Sequence, residues 1–170
     1  MVDEIIEYPS PILSRAASLV QPEEFGTDEL NSIINRMIAV INDTGANGLA
    51  AVQIGVDKAL IVYRNKVGTL LALCNPTIIA RTGKVKSYGE GCLSSPGFRT
   101  DKRRSKEIKI RVSTVEGKEV IVREKGYPAI ILQHEIDHIN GITLIRLASD
   151  DDQDKREYMR RIKRNEDIST

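Results

Sequence analysis

Residues 127–141 read Tyr127-Pro128-Ala129-Ile130-Ile131-Leu132-Gln133-His134-Glu135-Ile136-Asp137-His138-Ile139-Asn140-Gly141, and they hold both histidines of the chain. Pro128 suits the first turn of a helix and Asn140-Gly141 supplies a left-handed C-cap, so a helix is expected over 127–140. The run Ala129-Ile130-Ile131-Leu132 is apolar nearly all round, the mark of a buried helix. His134 and His138 are four apart, just over one turn, so both imidazoles leave from one face. That is the geometry two ligands need on one tetrahedral metal. Glu135 points about 100° further around the helix. It can lie beside a metal without ligating it and take the proton of a water activated there. H-E-x-x-H is therefore a mechanism as well as a string. The plain alternative is a helix with two solvated histidines and an acid. The apolar setting argues against it, because buried histidines without partners are costly.

Two histidines leave such a site one protein ligand short. In the long zinc-protease pattern H-E-x-x-H-x-x-G-x-x-H, Gly141 fits but Leu144 occupies the third histidine position. The third ligand must then be Cys, Asp or Glu. Downstream, Asp150, Asp151, Asp152, Asp154 and Glu157 cluster as the start of a helix. Upstream, Cys92 lies in Gly89-Glu90-Gly91-Cys92-Leu93-Ser94-Ser95-Pro96-Gly97, which reads as a tight, exposed turn. Packing is the usual job of an isolated cysteine, and Cys74 in the apolar run Leu70–Cys74 fits it. Nothing around Cys92 looks like a core strand. A third segment, Gly48-Leu49-Ala50-Ala51-Val52-Gln53-Ile54-Gly55, has small residues that let a backbone or ligand approach closely. Gln53 is its one polar side chain. A buried amide must find partners, so it can donate into a site; tight helix–strand packing explains the small residues equally well.

Further out, Leu30, Ile33, Ile34, Met37, Ile38 and Ile41 form a single apolar stripe, a helix over 28–43. Asp28 and Glu29 suit the positive end of its dipole, and the Gly-rich turn 44–48 ends it. Ala59–Tyr63 and Leu70–Cys74 read as short strands. Ile108, Ile110 and Val112 alternate with Lys109, Arg111 and Ser113, a half-buried strand. Glu116-Gly117-Lys118 turns it into Val120-Ile121-Val122, a hairpin. Pro9 and Pro11 make the opening extended and forbid a helix there. Ser149 is expected to cap a helix over about 150–165, with pairs Asp151–Lys155, Asp152–Arg156 and Glu157–Arg161. Asp101–Lys106 reads as a charged loop at the rim of the site. Strands and helices that do not alternate strictly indicate α+β architecture with antiparallel pairing.

Composition limits the function classes. The chain has 170 residues, 41% of them apolar, with net charge +1. That suits one globular unit and is unlike a strongly basic DNA binder or an acidic disordered protein. Aromatics are 4% and Trp is absent, which disfavours base-stacking platforms. No apolar run approaches the roughly 18 residues of a membrane span. The opening MVDEIIEYPS shows no secretory or transit character, and two cysteines make no disulfide framework. A reducing, cytoplasmic setting is expected.

In order and spacing, Gly48-Leu49-Ala50-Ala51-Val52-Gln53, Glu90-Gly91-Cys92-Leu93-Ser94 and Gln133-His134-Glu135-Ile136-Asp137-His138 resemble the three signatures of the peptide deformylase family. Tyr8-Pro9-Ser10-Pro11-Ile12-Leu13 is similar to that family's opening, so the resemblance covers about residues 3–147. Two departures stand out. Ala46 occupies the position of the family's first glycine, with Gly45 one residue further out, and Ser95 replaces an aliphatic residue. The resemblance implies antiparallel sheets packed around a central metal-binding helix, with a C-terminal helix. It implies removal of the formyl group from N-formylmethionyl peptides. Cys92, His134 and His138 are then the ligands of one divalent metal, iron(II) by the family, with zinc, nickel or cobalt also suited to that donor set. Glu135 carries the proton. The Gln53 amide and the Leu93 N–H are the implied donors to the oxyanion, and Gly48 and Arg99 border the substrate.

On this reading residues 1–148 form the catalytic domain and 149–170 a charged helix or tail. Its basic run, Lys155 to Arg164, resembles the ribosome-docking tail of some deformylases in placement; a solvated helix balanced by its acidic start is the plainer view. Two other functions fit the H-E-x-x-H helix less well. A zinc endopeptidase lacks a clear downstream ligand here. A deformylase-like module that binds ribosomes or peptides without turnover has no need of an intact Glu135.

Overall fold

In the computed structural model, which describes residues 2–168 and the side chains of 2–164, the extended opening gives way at Pro11 to a 3-10 turn, Pro11–Ser14. Proline at the first position of such a turn has no N–H to lose, and the stretch before it, residues 5–10, is non-helical as expected. The Thr27 hydroxyl accepts the Leu30 N–H and starts helix α1, Asp28–Thr44, which Gly45 closes in the left-handed conformation. Its stripe of Leu30, Ile34, Met37, Val40 and Ile41 is buried.

Among the described residues seven strands follow: β1 (Gly48–Ala50), β2 (Leu60–Arg64), β3 (Leu70–Thr82), β4 (Val85–Gly91), β5 (Arg99–Arg104), β6 (Glu107–Ser113) and β7 (Glu119–Lys125). All pairings are antiparallel. Five strands form one sheet in the order β1-β2-β3-β6-β7, and β4-β5 form a second sheet of two. Gly48 pairs with Tyr63, Leu60 with Cys74, Ile78 with Ile110, and Ile110 with Val122. Strand β2 shows why its run is apolar without alternation. Leu60 and Val62 pack with α1, while Ile61 and Tyr63 pack on the opposite face. A strand covered on both sides needs apolar residues at every position.

The opposite face is covered by α2 (Tyr127–Ile139), through Ala129, Ile131, Leu132 and Ile136 against Ile61, Tyr63, Ile108 and Ile110. The chain then forms a short helix α3 (Leu144–Leu147) and ends in α4 (Gln153–Ile168). The architecture is mixed α and β with antiparallel sheets and a C-terminal helix, as expected.

Three local expectations are corrected. Residues 101–104 are strand β5, with only Ser105 and Lys106 as loop. The α4 N-terminus is capped by Asp152, which accepts the Lys155 N–H at 3.0 Å, in place of Ser149. Lys155 pairs with Asp150 instead of Asp151, and the Arg156 guanidinium reaches Asp151 rather than Asp152. Arg161 turns away from Glu157 and donates to the Pro96 carbonyl. Among the described residues no helix is long and apolar enough to cross a membrane.

Candidate metal centre

Helix α2 lies with its apolar face on the sheet, so His134 and His138 project toward the end of β4, where Cys92 sits. Gln133 fixes this orientation. Its carbonyl oxygen accepts the Ser105 N–H at 2.8 Å, and its amide donates to Ser105 O at 3.0 Å and Ala129 O at 2.8 Å. The Cys92 sulfur, His134 and His138 each offer a ligand atom, and these atoms all lie within 4.8 Å of one another. Cys92 Sγ is 3.1 Å from His138 Nε2. The two imidazole centroids are 5.0 Å apart.

Cys92 is half-buried and packs beside Phe98, Leu144 and Ile145, which corrects the picture of an exposed turn. Burial alone would raise its thiol. The adjacent His138 charge and the hydrogen bonds from His134 and His138 outweigh burial and hold it well below the ordinary range. The site therefore favours the thiolate, the form that binds metals. Burial raises the Glu135 carboxyl, and Glu135 is 5% exposed.

These residues fit a divalent cation on two grounds. A thiolate with two imidazoles is a soft-to-borderline set suited to a first-row divalent metal. In addition, Glu135 Oε2 is buried without a hydrogen-bond partner beside that set. Such an orphan is rare, and a water or substrate held at the centre would satisfy it.

Gln53 stands in a 3-10 turn, Ala51–Ile54, that follows β1. Its oxygen accepts the Ala50 N–H at 2.9 Å, so its amide is aimed outward. There it donates to Ser94 Oγ at 3.2 Å and reaches Cys92 Sγ at 3.6 Å. Gly48 faces Glu135 so closely that a Cβ there would lie 2.6 Å from Glu135 Oε1 and 2.6 Å from Ile131 Cγ2. Arg99 crosses the face of Gly91 and donates to Gly89 O at 3.0 Å. Gly48, Gln53, Cys92, Leu93, Arg99, His134 and Glu135 all line one cleft of about 480 Å³, whose rim carries Tyr88 and Tyr127. His138 lies behind it at 1% exposure. The structure thus gathers every residue singled out from the sequence around one place.

Sequence reading missed Glu90 and Arg104. Glu90 Oε2 is 3.4 Å from His134 Nδ1, and Arg104 grips both Glu90 oxygens. Burial pushes the Glu90 carboxyl up. The His134 and Arg104 hydrogen bonds, with the Arg104 charge, more than reverse this and set it at about 2. Glu90 was quoted as part of a signature with no role attached. A buried arginine inside a run of charges gives no periodic signal.

Comparison with known proteins bears on this centre. The family model described as Polypeptide deformylase matches residues 2–154. A peptide deformylase of Borreliella burgdorferi is 36% identical over 143 residues, covering 84% of this chain and 85% of that protein. The crystal structure of peptide deformylase 1B from Arabidopsis thaliana in complex with an inhibitor has a TM-score of 0.88 at 29% identity, covering 98% of this chain and 93% of that one. A Met-Ala-Ser-bound class I type b peptide deformylase from Acinetobacter baumannii has a TM-score of 0.80 at 28% identity, covering 85% and 97%.

Proposed function

The chain belongs to the polypeptide deformylase family, and from that membership we propose how its own residues carry out the reaction. It is a hydrolase that removes the N-formyl group from N-formylmethionyl peptides and releases formate. The observation that carries the assignment of roles is the convergence of Cys92, His134 and His138 within 4.8 Å beside a buried Glu135.

In this proposal Cys92, His134 and His138 hold one divalent cation, iron(II) by the family and zinc, nickel or cobalt by the same donor set. When bound, that cation supplies Lewis acidity to water and to the formyl oxygen. Glu135 accepts the proton of the attacking water at the carboxylate oxygen left without a partner. A carboxyl raised by burial suits both halves of that task. It takes the proton as the new C–O bond forms and returns it to the peptide nitrogen as the C–N bond breaks. The Gln53 amide and the Leu93 N–H donate to the oxygen on which negative charge grows. The peptide lies between Gly48 and Arg99, the missing side chain of Gly48 leaving the Glu135 carboxylate its place beside it.

Replacing Glu135 by Gln tests the central role. Formate release from a short formyl-Met peptide is expected to fall by about 10²–10⁴-fold, with the fold and bound metal retained. Parental turnover in that variant would remove Glu135 from the chemistry, and with it this mechanism. The same reading places the protein in the cytoplasm beside the ribosome. Arg156, Arg160, Lys163 and Arg164 of α4 are exposed, a surface suited to a phosphate backbone. Co-sedimentation with ribosomes that weakens as salt rises is the expected behaviour; salt-independent absence of binding would reduce α4 to a solvated helix.

A further inference from the structure

Arg104 ends β5 and is 7% exposed. Its guanidinium makes three charge-assisted hydrogen bonds. Nε donates to Glu90 Oε1 at 3.0 Å, Nη2 to Glu90 Oε2 at 2.9 Å, and Nη1 to Asp137 Oδ2 at 2.5 Å. Glu90 is two residues before Cys92, and Asp137 is one residue before His138. Glu90 Oε2 also meets His134 Nδ1. One side chain therefore touches the neighbours of every residue in the donor set.

The topology gives this contact its weight. Cys92 follows β4, and β4 pairs only with β5 in a sheet that shares no ladder with the five-stranded one. The histidines ride on α2, which packs on the five-stranded sheet. No backbone ladder fixes the distance between the cysteine strand and the histidine helix. The Arg104 fork spans that gap, and its planar geometry matches two carboxylates at once in a way a lysine ammonium cannot.

We propose that Arg104 is a positioning residue that clamps the cysteine-bearing strand to the histidine helix and thereby sets how tightly the centre retains its cation. The proposal rests on the reading of Cys92, His134 and His138 as the ligands. Arg104 touches no substrate. It acts through Glu90, which orients the His134 ring, and through Asp137, which anchors the turn carrying His138. Loss of such outer partners typically weakens metal binding by about 10–100-fold.

The test loads the full chain with cobalt(II) and follows transfer of the metal to a chromophoric chelator, with thermal unfolding of the metal-free protein measured alongside. Arg104→Lys keeps one positive charge and loses the fork. Cobalt release from it is expected to be at least about tenfold faster than from the parent. Asp101→Asn, an exposed change on the same strand, is expected to release at the parental rate. If Arg104→Lys does not fold, Asp137→Asn, which weakens the arm of the fork that reaches the histidine helix and leaves Glu90 on His134, takes its place with the same expectation. Release at the parental rate from the folded variant, with only the unfolding temperature lowered, reduces Arg104 to a structural ion pair and overturns the clamp. A parent chain that binds no cobalt overturns the ligand assignment itself and the clamp with it. The two failures are distinguished by the parent's metal content.

Discussion

Gly48 shows what one hydrogen atom in place of a side chain can do. Its φ is ordinary, so backbone freedom is not its reason. The reason is space, since any Cβ would enter Glu135 Oε1 and Ile131 Cγ2 at 2.6 Å. Ile131 belongs to a packed helix and has little room to yield, so the Glu135 carboxylate must move instead. Gly48→Ala is therefore expected to lose about 100-fold in turnover on a formyl peptide, the scale of a misplacement near 1 Å. Cobalt content should stay parental. Unchanged turnover would mean that Glu135 has slack at this position. At Cys92 the relevant contrast is with Cys74. Both are free thiols, yet burial raises Cys74 to about 11 while the imidazoles beside Cys92 hold it low. One cysteine is buried packing and the other stands in a group that could hold a metal, a difference made by neighbours.

Among the elements, α4 is tied to the wall of the cleft. Tyr158 is 5% exposed and packs on Phe98 with ring centroids 5.7 Å apart. The Arg161 guanidinium lies 4.9 Å over the Tyr158 ring and donates to Pro96 O, and Thr100 Oγ1 donates to Asp152 at 2.8 Å. Removing the ring by Tyr158→Ala is expected to cost about 3 kcal/mol, read as a lowered urea midpoint. A change below about 0.5 kcal/mol would show that α4 rests on the wall without bracing it. Elements with an apolar stripe or alternation were legible in the sequence: α1, α2, β2, β6 and β7 fall within a few residues of their expected places. β5 was not, because its inward positions are Thr100 and Arg104. A strand that buries polar groups lacks the alternation by which strands are recognised. β1 is too short to show a period, and β4 carries Gly89 and Gly91 where side chains would mark a face. The histidine pair was legible because His134 and His138 share one helical turn. Cys92 was reached through a local signature, since nothing in its own surroundings pointed across the fold to α2.

For the whole molecule, acid is the condition to which the charge arrangement is most exposed. Glu90 stands at about 2 through its His134 and Arg104 contacts, against the burial that opposes them. Glu24 is lowered by the Gln21 N–H and Lys58, and Asp57 by the Ser18 N–H and Arg15. A carboxylate depressed in the folded state stabilises the fold fully above its unfolded pKa and loses that contribution as pH falls toward the folded value. The contribution of these three groups is therefore expected to be flat from neutrality to about pH 5 and to decline from there toward about pH 2. Urea midpoints across that range check the slope, and a double variant, Glu24→Gln with Glu90→Gln, should flatten it. An equal slope in that variant would assign the acid sensitivity to other groups. The placement of the donors on two separately built pieces also has a consequence in time. Forty-two residues separate Cys92 from His134, roughly 2–8 s of synthesis at about 5–20 residues per second. Throughout that interval the thiol has been made and neither imidazole has. This catalyst of nascent-chain maturation is thus incompetent as a nascent chain itself until α2 arrives beside its sulfur.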